Sequence, residues 1–405
     1  MKKIVIVAND VAMPGEKGLS RLHYLAEFFT ANGFDTELVT ADFQHWEKRY
    51  RTKEDMERIR SASSCKVTFI HEGAYTKNID PKRILSYRTL TSNIEKYLEK
   101  NTYDLVYALI PDNHLCAAAG KYAKRHGLPF IIDVEDLWPE AMRMVLDVPA
   151  LSDVMFSYFT VNAKKAYSLA DAVVGSSDEY RDEPLKYGCK IEKSRTVYVG
   201  TDLCRFDEGV KENAGDIIKP DGEFWVTYAG TLGTSYDIET LIKAADILKK
   251  RGTNIKIMLL GSGPLEDEFK KYAASTDADV HFAGYLPYPV MAAYLTKSDI
   301  TVNSLVAKAS QSIVSKIGDY LAAGLPMINT GLNAEFKKKV ESDGFGVNVE
   351  PENAEALADA IETLYKSPEL REEMGKTARR TAETQFNRPV SYMKIVELAR
   401  ELLEL

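Results

Sequence analysis

The chain lacks the cysteine patterns on which disulfide scaffolds and zinc sites depend. It has four cysteines in 405 residues, scattered at Cys65, Cys116, Cys189 and Cys204 without a Cys-x-x-Cys pair. Small disulfide-bonded domains and structural zinc sites need paired, closely spaced cysteines. The sequence therefore predicts a reduced, metal-free, cytoplasmic protein.

Long apolar runs are also missing. A helix that spans a membrane needs about 18 or more consecutive apolar residues, and no run in this chain reaches that length. Near the N-terminus the apolar residues 4–8 follow Lys2 and Lys3 and end at Asn9, which is too short for the apolar core of a signal peptide. We expect neither a membrane span nor a secretion signal.

An excess of positive charge is the third absence. The formal net charge is -8, whereas a general nucleic-acid binder carries a basic surface. The first 205 residues contain 29 basic and 29 acidic residues, and the remainder contains 23 and 31. One basic stretch, residues 48–53 followed by Arg58 and Arg60, has two interpretations. It is either a solvated helix face with interleaved acids or a contact with anionic lipid or a diphosphate-bearing acceptor.

What the chain does have is a globular composition with an alternating pattern. It is 45% hydrophobic and 28% charged, which excludes a disordered chain, and its length predicts at least two domains. Short apolar runs alternate with amphipathic stretches, which is typical of parallel sheets with helices on both faces. The predicted strands are residues 4–8, 36–39, 66–70, 105–108, 130–133 and 172–175, then 225–229, 256–260, 280–282, 300–303, 326–329 and 346–349.

The two halves predict two doubly wound domains with a break between them. Residues 208–221 are polar and contain two glycines and a proline, so they favour a linker. The predicted organisation is a first domain over 1–207, the linker, a second domain over 222–390 and a C-terminal brace helix over 391–405. We expect a ligand at the carboxyl ends of the strands, in a cleft between the domains.

The loop after the first strand, residues 12–20, is a candidate phosphate-binding loop. Gly15 and Gly18 would let backbone N–H groups approach an anion, and the start of the next helix adds a partial positive charge. The loop has neither the dinucleotide-binding nor the Walker motif. A plain turn with Ser20 as the helix cap is the alternative.

Three carboxylates follow a predicted buried strand at Asp133, Glu135 and Asp136, close to Trp138. Carboxylates accept hydrogen bonds from sugar hydroxyls, and an indole can pack on a pyranose face. The segment therefore predicts a sugar site. The alternative is a helix start, with Asp136 as the cap and Pro139 in the first turn, and both interpretations can hold together.

Paired glycines follow two neighbouring strands of the second half. Gly230 and Thr231 come after one strand, and Gly261 and Gly263 come after the next. Such pairs favour a nucleotide-sized ligand lying across the sheet. Tight turns alone would also need some of these glycines.

A polar loop that enters a short helix is the most informative stretch. Lys316 and Asp319 are three residues apart and share one helix face near its positive end. This arrangement could place an ammonium on a diphosphate and a carboxylate on a ribose diol, and the alternative is a surface Lys–Asp ion pair. The loop residues that would supply amides and one polar side chain are Gln311, Ser312, Ile313 and Val314.

Taken in order, these motifs resemble the retaining nucleotide-sugar glycosyltransferases of family 4, which have the α/β GT-B fold of two facing Rossmann-like domains. The resemblance covers nearly the whole chain. It is nearest to bacterial capsule, O-antigen and exopolysaccharide assembly transferases, several of which carry Asp-Leu-Trp-Pro and Ser-Lys-Ile-x-x-Tyr-Leu-Ala-Ala-Gly segments, as residues 136–139 and 315–324 do here. The other matching elements are residues 15–18, 199–202, 228–231, 261–264 and 281–285.

The resemblance implies retaining transfer of a hexose from a nucleoside-diphosphate sugar, UDP favoured, to a glycan or lipid-linked saccharide. No metal, cofactor or nucleic acid is implied. Catalytic roles fall on Glu135, Asp136 and Lys316. The implied donor-binding residues are Gly15, Gly18, Arg21, Gly230, Thr231, Gly261, Gly263, Tyr285, Gln311, Ser312, Ile313, Val314 and Asp319.

The chain departs from the family pattern at charged positions. The family's Glu-x7-Glu element falls on Gln311 and Asp319. Its Arg and Lys after the first strand of the second domain fall on Thr231 and on Tyr236 or Asp237. This leaves Lys316, loop amides and Arg21 to stabilise the leaving diphosphate.

Further substitutions keep other functions open. A family His appears as Glu135. A nucleotide-sugar epimerase or hydrolase of the same fold, or a non-catalytic subunit that binds a sugar nucleotide, would also accommodate the altered residues. Residues 155–159 followed by Lys164 and Lys165 favour either a weak peripheral contact with the inner face of the plasma membrane or an ordinary core helix.

Overall fold

Two parallel sheets organise the part of the chain that the structure describes. The computed structural model describes residues 1–16, 21–77, 80–137, 149–309 and 313–405. The chain divides into unit 1, formed by Met1–Val197 and Tyr392–Leu405, and unit 2, formed by Tyr198–Ser391. Each unit has its own sheet and its own apolar layers.

Unit 1 is built on a seven-stranded parallel sheet and a short antiparallel hairpin. The sheet strands are β1 (Lys3–Val7), β2 (Asp35–Ala41), β5 (Lys66–Ile70), β6 (Leu105–Ile110), β7 (Phe130–Val134), β8 (Ala172–Gly175) and β9 (Lys193–Thr196), and the hairpin is β3 (Phe43–Gln44) with β4 (Arg49–Tyr50). The sheet order is β5-β2-β1-β6-β7-β8-β9. The chain order changes direction between β1 and β6, which is where a doubly wound sheet opens a crevice at the carboxyl ends of its strands.

Between these strands the described residues form six helices, and local sequence explains where several of them begin. They are α1 (Arg21–Ala31), α2 (Lys53–Ala62), α3 (Pro81–Leu98), α4 (Asn113–His126), α5 (Pro149–Leu169) and α6 (Asp178–Lys186). Thr52 and Asp55 form a capping box on α2, and Asp112 accepts a backbone N–H at the start of α4. Such side chains satisfy the amides that a helix start leaves without a partner.

Unit 2 repeats the architecture with a six-stranded sheet. Its strands are β10 (Trp225–Ala229), β11 (Lys256–Leu260), β12 (Asp279–Gly284), β13 (Ile300–Asn303), β14 (Met327–Asn329) and β15 (Gly346–Asn348). The order is β12-β11-β10-β13-β14-β15, with parallel neighbours throughout. The change of direction lies between β10 and β13.

The helices of unit 2 cover both faces of this sheet and lead into the C-terminal segment. They are α7 (Leu203–Asn213), α8 (Ile238–Lys250), α9 (Glu266–Ala274), α10 (Tyr288–Lys297), α11 (Ile317–Ala322), α12 (Ala334–Asp343), α13 (Ala354–Lys366), α14 (Pro368–Thr381) and α15 (Arg388–Ser391). A 3₁₀ turn lies at Ala307–Ala309 and a π turn at Ala382–Phe386. The last helix, α16 (Met393–Leu402), returns to unit 1.

Alternating side chains of the central strands fill two apolar layers. In β1, Ile4 and Ile6 belong to one buried cluster, and Val5 and Val7 belong to the other. Successive side chains of a strand point to opposite faces of the sheet, and a parallel sheet with helices on both sides buries both faces. This is why the apolar strand patterns are continuous rather than alternating.

The sequence-based strand and helix predictions agree with the structure at most places. All twelve predicted strands are present, with ends that differ by at most two residues. The hairpin of β3 and β4 and the edge strand β9 were not predicted, because β3 and β4 have two residues each and β9 (Lys193–Thr196) has no apolar run. Short and polar strands carry no periodic signal.

The predicted linker at 208–221 is wrong in position. The structure divides the units between Val197 and Tyr198, and helix α7 covers the beginning of the predicted linker. Leu203 and Phe206 anchor α7 in the core of unit 2, while its remaining surface is polar. An amphipathic helix with a mostly charged exposed face was mistaken for a connector.

The C-terminal helix packs against unit 1; its apolar stripe predicted a brace but not which unit it would contact. Ile395, Val396, Leu398 and Ala399 join the buried cluster that contains α1 and one face of β1. Within the described ranges, no helix combines the length and apolarity that crossing a membrane requires.

Shortening Leu398 should destabilise unit 1. Leu398→Ala removes buried methyl groups and leaves a cavity, which costs about 2–5 kcal/mol of unfolding free energy. Hydrogen exchange followed by mass spectrometry should show lost protection in α1 and β1. The control is Leu405→Ala, because Leu405 is exposed. Equal loss of protection in the strands of unit 2 would contradict the placement of α16.

Candidate functional site

Two loops after neighbouring strands of unit 2 pack backbone against backbone. Gly230 follows β10 with φ of 146°, and Gly261 follows β11 with φ of 155°, both in the region that favours glycine. A Cβ at Gly261 would overlap the carbonyl oxygen of Gly230, and one at Gly263 would overlap that of Leu232. The close approach of the loops therefore accounts for these glycines, which is the tight-turn alternative. Their contact with a ligand stays a prediction.

The ammonium of Lys316 lies between two tyrosine rings below these loops. Its Nζ is 3.8 Å from the ring centroid of Tyr236 and 4.0 Å from that of Tyr228. A Cβ on Gly230 would lie 2.7 Å from the same nitrogen. Burial lowers the pKa of Lys316 well below its ordinary value, because removing an ammonium from water disfavours its charged form.

Lys316 has no hydrogen-bond acceptor among the residues that the structure describes, although its Nζ is shielded from solvent. The surface Lys316–Asp319 ion pair that the spacing allowed is therefore wrong. A buried ammonium that only cation–π contacts stabilise is costly. This cost is typical of a group that receives an anionic ligand.

Asp319 belongs to a separate hydrogen-bond network. Its Oδ1 accepts from the Tyr288 hydroxyl at 2.8 Å, and Tyr288 also contacts Thr201 at 2.7 Å. Burial raises the pKa of Asp319, while hydrogen bonds from Thr201 and Tyr288 oppose that rise. The network fixes the carboxylate at the start of α11, and the predicted contact with a ribose diol stays a prediction.

The remaining predicted donor-site residues of unit 2 have different environments. Thr231 is exposed and Tyr285 is 70% exposed, whereas Ile313 and Val314 pack partly against the core. Asp237 caps α8 and accepts the Glu352 amide at 3.1 Å, so it is a structural residue. Gln311 and Ser312, and Gly18 of unit 1, lie outside the described residues.

In unit 1, the loop that contains Gly15 is held by two arginines of the basic stretch. Arg51 binds both carboxylate oxygens of Glu16 at 2.7 Å and the carbonyl oxygen of Val11 at 2.9 Å. Arg58 donates to the Pro14 carbonyl oxygen at 3.2 Å. These cations position the loop, which reduces the charge that the basic stretch could offer to lipid.

Arg21 is a buried cation that pairs with carboxylates of its own unit. Its Nη2 donates to both carboxylate oxygens of Asp133 at 2.9 and 3.2 Å. The same guanidinium pairs with Glu135 and lies over the Tyr392 ring. Arg21 therefore holds the carboxylates at the end of β7, and its predicted contact with the donor stays a prediction.

Glu135 and Asp136 follow β7 at the carboxyl ends of the sheet strands. Glu135 is partly exposed, with a side chain that is 18% accessible and oriented by Arg21. The carboxylate of Asp136 accepts the Leu137 amide at 2.9 Å, which fixes the turn after the strand. Trp138 lies outside the described residues.

Sequence reasoning missed an acidic edge in unit 1. An acidic residue follows each of five adjacent strands, β5, β2, β1, β6 and β7, within three positions of the strand end. The residues are Glu72, Asp42, Asp10, Asp112 and Glu135. In the sequence, each of these acids is a polar residue shortly after an apolar run. The carboxyl ends of parallel strands meet at one edge of a sheet, and this brings the acids together.

Burial strongly affects two of these acids. It raises the pKa of Glu72 to about 8 and that of Asp112 to about 7. Ser86 donates to Glu72 Oε1 at 2.6 Å, which opposes the rise, whereas the charge of Asp10 adds to it in both cases. Both carboxyl groups therefore retain protons near neutral pH.

Comparison with protein families then identifies the region around Lys316. The profile of the family described as glycosyl transferases group 1 matches residues 210–381. Residues 210–381 form a glycosyltransferase group 1 domain. This group 1 domain lies inside unit 2 and contains the Gly230 and Gly261 loops and Lys316.

Curated relatives agree with this assignment. The chain is 23% identical over 310 residues to the glycosyltransferase EpsD of Bacillus subtilis, covering 75% of this chain and 77% of EpsD. It is 23% identical over 223 residues to the amylovoran biosynthesis glycosyltransferase AmsK of Erwinia amylovora, covering 54% of this chain and 53% of AmsK. The chain thus spans about half the length of AmsK and most of EpsD.

Solved structures confirm the GT-B fold. Sucrose-phosphate synthase from Thermosynechococcus elongatus superposes with a TM-score of 0.72 at 18% identity, covering 100% of both chains. HepE of Anabaena in complex with UDP-glucose superposes with a TM-score of 0.67 at 16% identity, again covering 100% of both chains. The glycosyltransferase resemblance inferred from the motifs is confirmed, and the capsule and exopolysaccharide relatives were correctly anticipated.

The raised pKa of Glu72 predicts that stability falls as pH rises. The unfolded chain releases this proton near its ordinary pKa of 4.5, whereas the folded protein keeps it until about pH 8. Unfolding therefore releases a proton between these values, and its free energy decreases with pH in that window. Asp112 acts in the same direction.

Urea unfolding between about pH 5 and 8 tests this linkage. Glu72→Gln should flatten the decrease, and Glu239→Gln, a change at an exposed helix position of unit 2, should leave it unchanged. A wild-type stability that rises with pH across the window would show that the folded state does not hold these protons.

Proposed function

We propose that the chain is a retaining, metal-independent transferase that moves a hexose from a nucleoside-diphosphate sugar to a glycan or lipid-linked saccharide. The observation that carries the proposal is the buried ammonium of Lys316 within the group 1 domain. It lies beside the loops after β10 and β11, at the carboxyl edge of the sheet. In doubly wound sheets this edge is where phosphate-containing ligands bind.

Lys316 would bind the diphosphate in place of a basic pair that the chain lacks. The family positions for Arg and Lys are occupied by exposed Thr231 and by Tyr236. Tyr236 instead packs against the Lys316 ammonium. Lys316, which directly precedes α11, would therefore supply the cation that other members of the family place after β10. Cleavage of the anomeric bond leaves negative charge on the diphosphate, and a fixed donor there contributes to the transition state.

Binding of a diphosphate would also shift the pKa of Lys316. In the free protein, burial lowers this pKa. An adjacent anion favours the ammonium, so the pKa would rise as the donor binds. The two tyrosine faces stabilise a cation but provide no competing acceptor.

On the acceptor side, Glu135 would orient the attacking hydroxyl. Arg21 pairs with the Glu135 carboxylate at the end of β7, and the same guanidinium also pairs with Asp133. A carboxylate fixed in this way can accept the hydroxyl proton or stabilise positive charge on the anomeric carbon. Arg21 is thus a positioning residue, and Asp136 shapes the turn that presents Glu135.

The substrate classes are proposed from the relatives. HepE is described in complex with UDP-glucose, and AmsK is named for amylovoran biosynthesis, which favours a UDP-sugar donor and a cell-surface polysaccharide as the product. A thermal-shift panel of UDP-, GDP-, ADP- and TDP-glucose, with magnesium or with a chelator, tests the donor. A ligand at 100 times its Kd adds about 2.7 kcal/mol. A shift that requires magnesium would overturn the metal-independent part.

Replacing Lys316 should reduce turnover. Lys316→Met keeps an unbranched chain between the tyrosines but removes the donor, and kcat should fall by about 10²–10³-fold, as for one oxyanion donor. The assay is UDP release at saturating donor with an acceptor extract. Lys243→Met, at an exposed position of α8, is the matched control. Unchanged kcat in Lys316→Met would refute the role of Lys316.

A further inference from the structure

Among the residues that the structure describes, three carboxyl groups at the acidic edge of unit 1 each have one oxygen without a hydrogen-bond partner. The atoms are Oδ1 of Asp10, Oε2 of Glu72 and Oδ2 of Asp112, and all three are shielded from solvent. Glu72 is 0% exposed and Asp112 is 3% exposed. Buried polar atoms are nearly always hydrogen-bonded, so an exception marks a place for water or a ligand.

The three groups interact electrostatically, and Glu72 and Asp10 contact the neighbouring α3 residues Ser86 and Tyr87. The charges of Asp10 and Asp112 both act on Glu72, and the charge of Asp10 acts on Asp112. They follow β5, β1 and β6, and the switch point of the sheet lies between β1 and β6. We call Asp10, Glu72 and Asp112 the carboxyl cluster.

The other oxygen of each group is already engaged, which fixes the orientation of the free one. Asp112 accepts a backbone amide of α4 at 3.0 Å, and Glu72 accepts from Ser86 at 2.6 Å. Asp10 accepts from the Tyr87 hydroxyl at 3.3 Å. The partnerless oxygens are therefore held in place before any ligand arrives.

Aromatic rings lie beside the carboxyl cluster. Phe43, Tyr75 and Tyr87 form a small buried cluster, and His45 Nδ1 is 2.5 Å from the Tyr75 hydroxyl. Apolar and aromatic walls with a few oriented polar atoms are typical of small-molecule sites. This is an observation independent of the acids themselves.

The charge of the surroundings disfavours an anion. The Arg83 Nε donates to Tyr87 at 2.8 Å, and its Nη2 is 3.8 Å from Asp10, so this cation is already engaged. Burial lowers the pKa of His45, which leaves it neutral at neutral pH. In the ranges that the structure describes, no three acidic, His or Cys side chains meet as a metal site.

We propose that the carboxyl cluster binds the uncharged, hydroxyl-rich part of the acceptor, a neutral sugar ring or polyol, through its three partnerless oxygens. Hydroxyls can both donate and accept hydrogen bonds, whereas a phosphate at neutral pH chiefly accepts them. The inference rests on the proposed transferase function and specifies which end of the acceptor unit 1 recognises. Protons held by Glu72 and Asp112 near neutral pH let these groups donate to a hydroxyl oxygen as well as accept from one.

The cluster should reduce the stability of the free protein. A buried oxygen without a partner costs free energy, and replacing such a group with an apolar one of similar size is often neutral or stabilising. Glu72→Met fits this case, because the single hydroxyl proton of Ser86 can then be donated to the Gly73 carbonyl oxygen, 2.5 Å away. We therefore expect Glu72→Met to keep or raise the thermal midpoint while it weakens sugar binding.

Glu37→Met is the matched control. Glu37 is a buried carboxylate of the same sheet, and its oxygens accept from Thr68 at 2.7 Å, Tyr97 at 2.6 Å and Tyr103 at 3.0 Å. The same substitution there breaks satisfied hydrogen bonds. It should lower the thermal midpoint and leave sugar binding intact.

The test measures thermal shifts of the full chain with millimolar glucose, N-acetylglucosamine, myo-inositol or glucose 6-phosphate. We expect a neutral probe to raise the midpoint of the wild type and of Glu37→Met, at least a tenfold loss of its affinity in Glu72→Met, and no shift from glucose 6-phosphate. An undiminished shift in Glu72→Met, a stronger response to the phosphate, or no response to any neutral probe would overturn the proposal. The last result would mean that water alone fills the cluster.

The same assay separates this proposal from the proposed function. UDP-glucose reports on the group 1 domain and should shift Glu72→Met as it shifts the wild type. A UDP-glucose shift without any neutral-sugar shift would overturn only the carboxyl-cluster proposal. A neutral-sugar shift without any sugar-nucleotide shift would instead refute the proposed donor side.

Discussion

Parallel pairing of buried strands is the constraint on which both units depend. Apolar runs such as Ile4–Val7 and Trp225–Ala229 must be covered on both faces, so helices return the chain to the same end of the sheet after every strand. Each strand then delivers its following loop to one edge. The edge of unit 2 collects glycines and a lysine, and that of unit 1 collects carboxyl groups.

The two edges differ in charge, and this difference explains the division of chemistry that we propose. The group 1 domain has a buried ammonium that lies over two tyrosine rings and has no hydrogen-bond acceptor among the described residues, which is suited to an anion that arrives with the donor. Unit 1 has carboxyl oxygens that need hydrogen-bond donors, which suits hydroxyl groups. Both features cost stability in the free protein, as is common for groups kept for binding.

The sequence predicted the strands and the family well, because periodicity and ordered motifs are local signals. It failed where the decisive contact joins distant residues. Arg21 is placed by Asp133, which is 112 positions away, so its burial could not be inferred from the loop that precedes it. Lys316 and Asp319 lie three positions apart at the start of α11, but their partners Tyr228 and Tyr288 come from other elements.

Local composition also led to one wrong prediction, in which a helix was interpreted as a linker. Helix α7 (Leu203–Asn213) has few apolar anchors and many charges, so its pattern resembled a linker. The acidic edge of unit 1 was missed for the opposite reason. Each acid, such as Asp10 or Asp112, is ordinary in its own loop, and only the strand order brings them together.

Proton uptake on donor binding tests the central claim most directly. Calorimetric titration of the wild type with UDP near pH 8, in buffers of different ionisation enthalpy, measures the protons bound. The account predicts uptake by the wild type and a clearly smaller uptake by Lys316→Met, because an adjacent diphosphate raises a lysine pKa that burial has lowered. UDP binding with equal proton uptake in both proteins would contradict it.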